Sequence, residues 1–407
     1  MLSIQKPRIE VIDALRGFAV FGILVSHCYY LFFLGEATFS TSADENVSLF
    51  IRLMVNDKFY SLFSILFGLS FSLMLTRSKE IHTTFYLRFS WRLVLLGIIG
   101  LLHNLHWNDD ILSIYAFLGF ILLPMSRLNH KIVLLIALLL LVNIPSYFIE
   151  MTQSTLSKDA IALKEMEISK TYEKFAEAMQ HGTYFDTVRA NISVYTYKLE
   201  YYLYSGRFSY MLGFFLLGML AGIKELFQQM DQSKFLLTKI FYITGIITLI
   251  FTIASLYLIL HRESLSPEMQ SWSKHILKLQ SIALTLTYAS GMPLFFASAG
   301  KWFSKHFAVV GKMALTNYIL HSVLGTILLC GYGFGLINNP ISVSIAVATS
   351  IPLFIFMILF SQLWLRKFFN GPLEWLWRSA TNLKLMPLRR KPEHTEPTAI
   401  KKIIIRP

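Results

Sequence analysis

Ten apolar stretches of bilayer-spanning length follow one another along the chain, near 11–34, 58–76, 85–104, 110–125, 131–149, 206–223, 238–260, 276–298, 313–335 and 341–365. In hydrocarbon every backbone N–H and C=O must be satisfied within the chain, so runs of this length cross as helices. The recurrence predicts an all-α polytopic membrane protein, a bundle of about ten transmembrane helices. The fourth stretch is short, and a Tyr-rich run at 195–204 leads into the sixth. Composition agrees: of 407 residues 55% are hydrophobic and 15% charged, whereas a soluble domain carries about a quarter charged. The first stretch is too long for a signal-peptide core and contains Arg16. Cys28 and Cys330 both fall inside apolar stretches, which indicates neither a disulfide framework nor a zinc site.

An even number of crossings puts both termini on one side, and charge fixes which. With the N-terminus cytoplasmic, 25 of the 37 basic residues fall on inner segments, so the positive-inside rule predicts N-in and C-in. Nearly half of the net charge of +13 lies in the tail, where eight Lys/Arg and two Glu fall between Arg378 and the end. Such a tail reads as cytoplasmic and attracted to anionic lipid. No soluble domain presents a nucleic-acid patch. The expected organisation is a five-helix half over 1–149, an extracytoplasmic amphipathic loop over 150–205, a second five-helix half over 206–377 and a basic tail over 378–407. Within the loop, KDAIALKEMEISKTYEKFAEAMQ has helical apolar spacing and reads as a lid-like helix without chemistry of its own. Gly213, Gly218 and Gly222 are expected on one sector of the sixth span as a close helix contact.

Ionisable side chains inside spans are costly, so each one retained is a candidate for function. The first span keeps Asp13, Arg16 and His27. Asp13 and Arg16 are spaced to pair, and Arg16 and His27 are about three turns apart on one face, roughly 16 Å along the axis. His103, His106, Asp109 and Asp110 cluster in the turn between the third and fourth spans, and Asn317, Tyr318 and His321 lie within the ninth. Each has a structural alternative. Asp110, Asn56 and Asp57 stand where helix caps are wanted, Arg16 is placed to snorkel, and His321 to hydrogen-bond between helices. The His/Asp cluster matches no established metal-ligand spacing, so no metal is expected.

Six blocks, IDALRGFAVFGILVSH, NDKFYSLFSILFGLSF, RFSWRLVLLGIIGLLHNLHWNDDILSIYAFLGF, GRFSYMLGFFLLGMLAG, GKMALTNYILHSVLGTILLCGYGFGL and FFNGPLEWLWRS, occur in an order that resembles the YeiB-like family of bacterial membrane proteins built on domain of unknown function 418. The first block also resembles the opening helix of the wider transmembrane acyltransferase superfamily, which includes the acyltransferase-3 proteins and heparan-alpha-glucosaminide N-acetyltransferase. Arg16 and His27 reproduce the Arg-to-His spacing of the acyltransferase-3 helix. Many YeiB-like relatives have Asn where this chain has His27; the family's LIH-then-DIL pattern matches His103 with Asp110.

The resemblance implies a multi-pass protein of the bacterial cytoplasmic membrane that moves an acyl group from cytoplasmic acyl-CoA, such as acetyl-CoA, to an extracytoplasmic hydroxyl or amine on a glycan, lipid or small molecule. On that reading Arg88, Arg92, Lys301, Lys305 and Lys312 hold the donor's phosphates and Arg16, held by Asp13, orients it. His27, or His103 with Asp110, acts as base, and His106, Asp109, Asn317, Tyr318 and His321 line the acceptor's place. Two other classes remain open: a proton-coupled transporter or flippase with a histidine relay, and a non-catalytic scaffold or sensor.

Overall fold

The computed structural model describes residues 10–33, 41–78, 81–145, 158–339 and 341–390. Lys6, Arg8, Lys79 and the basic tail beyond 390 lie outside the described residues. Among the described residues the protein is all-helical, with no β-sheet. In chain order the helices are α1 (Glu10–Phe33), α2 (Ser42–Phe50), α3 (Lys58–Arg77), α4 (His82–His106), α5 (Leu112–Met125), α6 (His130–Leu141), α7 (Lys158–His181) and α8 (Tyr184–Tyr204). They continue as α9 (Arg207–Ile223), α10 (Met230–Leu260), α11 (Pro267–Ala297), α12 (Lys301–Lys312), α13 (Ala314–Leu329), α14 (Val343–Ala348), α15 (Ser350–Lys367) and α16 (Pro372–Thr381).

Among the described residues five segments are long and apolar enough to cross a membrane, or seven if each of two bent pairs is one span. The bent pairs are α8 with α9, which turn by 64°, and α11 with α12, which turn by 118°. Three shorter apolar helices, α5, α6 and α13, accompany them. Burial separates axis from periphery. The apolar window of α1 is 72% buried within the protein, whereas those of α10 and α15 are 22% buried and turn Ile246, Ile250, Ile253, Ile351, Ile355 and Leu359 outward. That outward surface is what lipid requires, and α1 is the axis.

Two close crossings position everything around α1. A Cβ on Gly17 would overlap the Phe307 backbone of α12, and one on Gly311 would overlap the Asp13 carbonyl, so the two helices meet backbone to backbone. Similarly, Gly68 of α3 lies against Phe215 and Gly218 of α9 against Ile65. Gly222 faces Ser72 of the same helix α3, but Gly213 faces Ala137 and Leu141 of α6. The single glycine sector expected from sequence is therefore two, because α9 is gripped from both sides. Between α2 and α3 the chain makes a π-turn over Ile51–Val55. The carbonyls of Arg52, Leu53 and Met54 accept from Lys58, Gln280 and Tyr288, which satisfies this irregular backbone.

The amphipathic loop forms a hairpin of α7 and α8. A Thr183–Asp186 capping box starts its second arm. Phe175, Met179 and Val194 close over Trp107 and Cys330 in a satellite core.

Candidate functional site

At the Arg16 end of α1 a cavity of about 750 Å³ opens between α1, α3, α4, α13 and α16. Its walls carry Arg16, Arg77, Arg88, Arg92, Lys312 and Arg378 against Asp13 and Glu374. Cations thus exceed acids, and the deep end narrows onto Ile111, Leu112, Tyr115 and Tyr318. Arg16 is held in place: it donates to Asp13 Oδ1 and to Ser70 Oγ, both at 2.7 Å. Asp13 itself is fully buried, so the pair is a fixed element of the wall and not a snorkelling side chain.

Helix α16 builds the opposite wall. The Arg92 guanidinium sits 3.6 Å over the Trp377 ring, and Trp377 Nε1 donates to the Arg92 carbonyl. Glu374 accepts from the backbone N–H groups of Leu315 and Thr316 and from Thr316 Oγ. It therefore caps α13 from another helix and compensates N–H groups that α13 cannot satisfy itself. Burial pushes the Glu374 carboxyl above the usual glutamate range, against the opposing pull of those donors.

Beyond the deep end of the cavity lies a layer of histidines. His103 Nδ1 is 2.8 Å from Asp110 Oδ1. The second Asp110 oxygen accepts from Ser113 N and Ser113 Oγ, both at 2.9 Å. Capping and pairing are thus not alternatives for Asp110; one carboxylate does both. With Asp110 ionised the carboxylate only accepts, so a neutral His103 donates Nδ1–H to it and leaves Nε2 as a lone pair. That Nε2 is buried and has no hydrogen-bond partner. A carboxylate-oriented imidazole whose other ring nitrogen has no partner is the arrangement a general base requires; this nitrogen is buried, and His103 lines neither cavity.

A second pair stands beside it. His321 donates Nδ1–H to the Asn317 carbonyl at 3.1 Å, which makes its Nε2 an acceptor; His27 Nδ1 lies 2.8 Å from that Nε2 and so donates. His27 Nε2 is then also a lone pair, 3.8 Å from Asp109 Oδ2 and too far for a direct bond. The ring of Tyr318 touches all three, with centroids 5.2 Å from His103, 6.3 Å from His27 and 5.4 Å from His321. Since Tyr318 also lines the basic cavity, its ring is the partition between cavity and histidine layer. On the far side a smaller apolar cavity, about 110 Å³, is lined by His27, Trp107 and His321.

The turn that carries Asp110 is clamped by the hairpin. Buried Lys198 on α8 donates to Asn104 Oδ1, the Asn108 carbonyl and the Asp110 carbonyl at 3.3, 2.6 and 2.7 Å. Asn191 holds the Leu105 carbonyl, and Tyr202 OH donates to Asp109 Oδ1. These contacts to the turn come from α8, the second arm of the hairpin.

The residues expected from sequence divide clearly. Asp13, Arg16, Arg88, Arg92, Lys312 and Tyr318 share the basic cavity. Lys301 and Lys305 do not line it; they are exposed on α12, whose other face is pressed against α1. His27, His103, Asp109, Asp110, Tyr318 and His321 converge, as above. His106 pairs instead with Thr326 at 2.6 Å. Asn317 ties α13 to α12 and α15 through the Val310 carbonyl and Ser361 Oγ. Asp57 makes no cap bond and pairs with Arg207 at 2.9 Å. Sequence reasoning missed Arg77, Glu374, Trp377, Arg378 and Lys198. Arg378 was counted with the tail, although PLEWLWRSAT has an amphipathic spacing that points to a docked helix.

Comparison with known proteins follows the same division. Residues 221–384 match the family described as "Protein of unknown function (DUF418)"; this part holds Lys312, Tyr318, His321, Glu374 and Arg378. The "Uncharacterized protein YxaH" of Bacillus subtilis (strain 168) is 28% identical over 421 aligned positions, covering 96% of this chain and 98% of the relative. The "Uncharacterized 39.9 kDa protein in amylase 3'region" of Bacillus acidopullulyticus is 28% identical over 95% of this chain and 97% of the relative. The "Uncharacterized protein YeiB" of Escherichia coli (strain K12) is 27% identical over 91% of this chain and 95% of the relative.

Proposed function

Because this chain belongs to the YeiB-like, DUF418-containing family of proteins, whose descriptions name no reaction, we propose its function from the site: acyl transfer across a bacterial cytoplasmic membrane from acyl-CoA to an extracytoplasmic hydroxyl or amine. The observation that carries this reading is the layered arrangement, in which a basic cavity ends against oriented histidines with a second cavity beyond them. The five long segments, or seven with each bent pair taken as one span, and the three shorter apolar helices are compatible with the ten crossings that this reading assumes. With N-in and C-in orientation, the basic cavity faces the cytoplasm, where the donor is made.

A cavity of small-molecule size with an excess of cations supports an anionic donor. Its volume of about 750 Å³ lies within the ~300–1,000 Å³ of small-molecule sites. Guanidinium groups match phosphate oxygens bidentately, and five of the six cations there are arginines. The thioester end would then meet Tyr318 and the histidine layer. His103 Nε2 takes the acceptor's proton as its oxygen or nitrogen attacks the thioester carbonyl. Asp110 stays ionised and stabilises the imidazolium, which returns the proton to the departing thiolate.

The test is transfer from radiolabelled acetyl-CoA by protein in native-lipid nanodiscs. His103→Gln and Asp110→Asn are expected to lower the rate by about 10²–10⁴-fold, with acetyl-CoA binding retained. Wild-type protein that neither binds nor consumes acetyl-CoA overturns the proposal. The His27–His321 chain also suits proton-coupled transport; solute-driven proton flux into liposomes without any thioester would favour that reading.

A further inference from the structure

The acceptor side of the layer has its own chemistry, and it differs from the donor side. The small cavity runs between α1, α13 and the 336–353 segment, and its walls are Leu24, Leu329, Ile337, Ile345, Ala346 and Leu353, with His27 and His321 in the same wall. Polar groups there are few: His321 uses both ring nitrogens and Ser322 Oγ donates to the Tyr318 carbonyl, while Trp107 Nε1 is a buried donor without a partner. A sugar ring placed in it would bury hydroxyls without partners, each at a cost comparable to a lost hydrogen bond. An alkyl chain has no such requirement.

The mouth points the same way. Ile345 and Leu336 on its rim are 59% and 37% exposed. The adjoining α15 is the apolar helix whose Ile351, Ile355 and Leu359 face outward. Asn339 and Thr349 of the lining are exposed as well, but the walls and the adjoining lipid-facing helix are apolar, a setting that a hydrocarbon chain can enter. The structure also has a place for one polar group on such a chain. His27 Nε2, a lone pair, and Trp107 Nε1, a buried donor without a partner, both belong to residues that line the slot.

We propose that this slot binds the alkyl chain of a membrane-embedded acceptor, a long-chain alcohol, amine or lipid carrying such a headgroup, whose polar group is read by His27 and Trp107. The proposal rests on the acyl-transfer reading for the fate of that group, but not for the binding. In the transfer, the acceptor O–H or N–H bond breaks, a new C–O or C–N bond forms to the acyl carbon, and the thioester C–S bond breaks with release of the free thiol.

The test uses a hexadecanol carrying a diazirine and a terminal alkyne, photolysed with the wild-type protein in nanodiscs. Label is expected on peptides covering 321–329 and 341–353, displaced by excess hexadecanol or hexadecylamine and not by a soluble monosaccharide. Ala346→Phe and Gly325→Leu, which fill the slot, are expected to cut this labelling at least tenfold while acetyl-CoA binding is unchanged. Label spread over the outward faces of α10 and α15, insensitive to competitor and to both variants, overturns the slot. Slot labelling in a protein that never uses acetyl-CoA overturns the acyl-transfer reading and leaves the slot standing. Transfer to a soluble glycan, undiminished in both variants, removes the slot alone.

Discussion

Replacing Arg16 with Gln probes whether the basic cavity is built for an anion. Six cations and two acids line it, and Arg16 is fixed there by Asp13 and Ser70 at 2.7 Å each. A charge-assisted hydrogen bond to phosphate contributes about 1.5–3 kcal/mol, so losing one weakens acetyl-CoA binding by about 10- to 150-fold. The single variant also takes the guanidinium away from the fully buried Asp13 carboxylate, and breaking one side of such a pair destabilises the fold. The double variant Asp13→Asn, Arg16→Gln removes the pair together and separates the two effects. Isothermal titration in nanodiscs is expected to show the same loss of affinity in both. Wild-type affinity is expected to fall as salt rises from about 50 to about 300 mM, and less steeply in the variants. Lys301→Gln and Lys305→Gln lie outside the cavity and are expected to bind as wild type. If those two weaken binding and Arg16→Gln does not, the anion site is on the outer face of α12 and the argument from the cavity fails.

Three further outcomes follow from the packing. Lys198→Met leaves Asn104 Oδ1 and the Asn108 and Asp110 carbonyls without their donor; unfolding in detergent is expected to shift by about 1–3 kcal/mol for each acceptor left unpaired. Gly218→Val collides with the Ile65 backbone whereas Gly245 has nothing within 4 Å; folded yield after solubilisation is expected to collapse for the first and to survive Gly245→Val. The folded protein holds the raised Glu374 proton more tightly than the unfolded chain does. This group's contribution is therefore complete below its ordinary value of about 4.3 and is lost as pH rises through its folded value. Thermal melts between about pH 4 and 8 are expected to show a shallower decline in Glu374→Gln than in wild type; equal slopes would place the titration elsewhere.

Much of the site was legible because charge in an apolar run is expensive wherever it occurs. Asp13, Arg16, His27, His103 and Asp110 stand out from the chain alone, and helical spacing alone pairs Asp13 with Arg16. Membership of a helical membrane class follows from the same constraint, since hydrocarbon leaves the backbone no other satisfied form. The local spacing of His103 and Asp110 brings them within one turn of each other's reach.

Which cations face one cavity was not legible, because that depends on rotation about helix axes. Gly17 and Gly311 let α1 and α12 touch, and the contact sends Lys301 and Lys305 outward while Lys312 stays in the wall. Glu374 and Arg378 join the site only when α16 folds back to cap α13, and Lys198 only when α8 bends over the Asp110 turn. These residues sit 58 and 88 positions from their partners, a separation that no local period encodes. The sequence by itself determined the solvent the helices live in and the polar groups they carry into it. Tertiary packing alone decided that a basic cavity, three histidines and an apolar slot lie in line, because close backbone contacts set which face each helix turns inward.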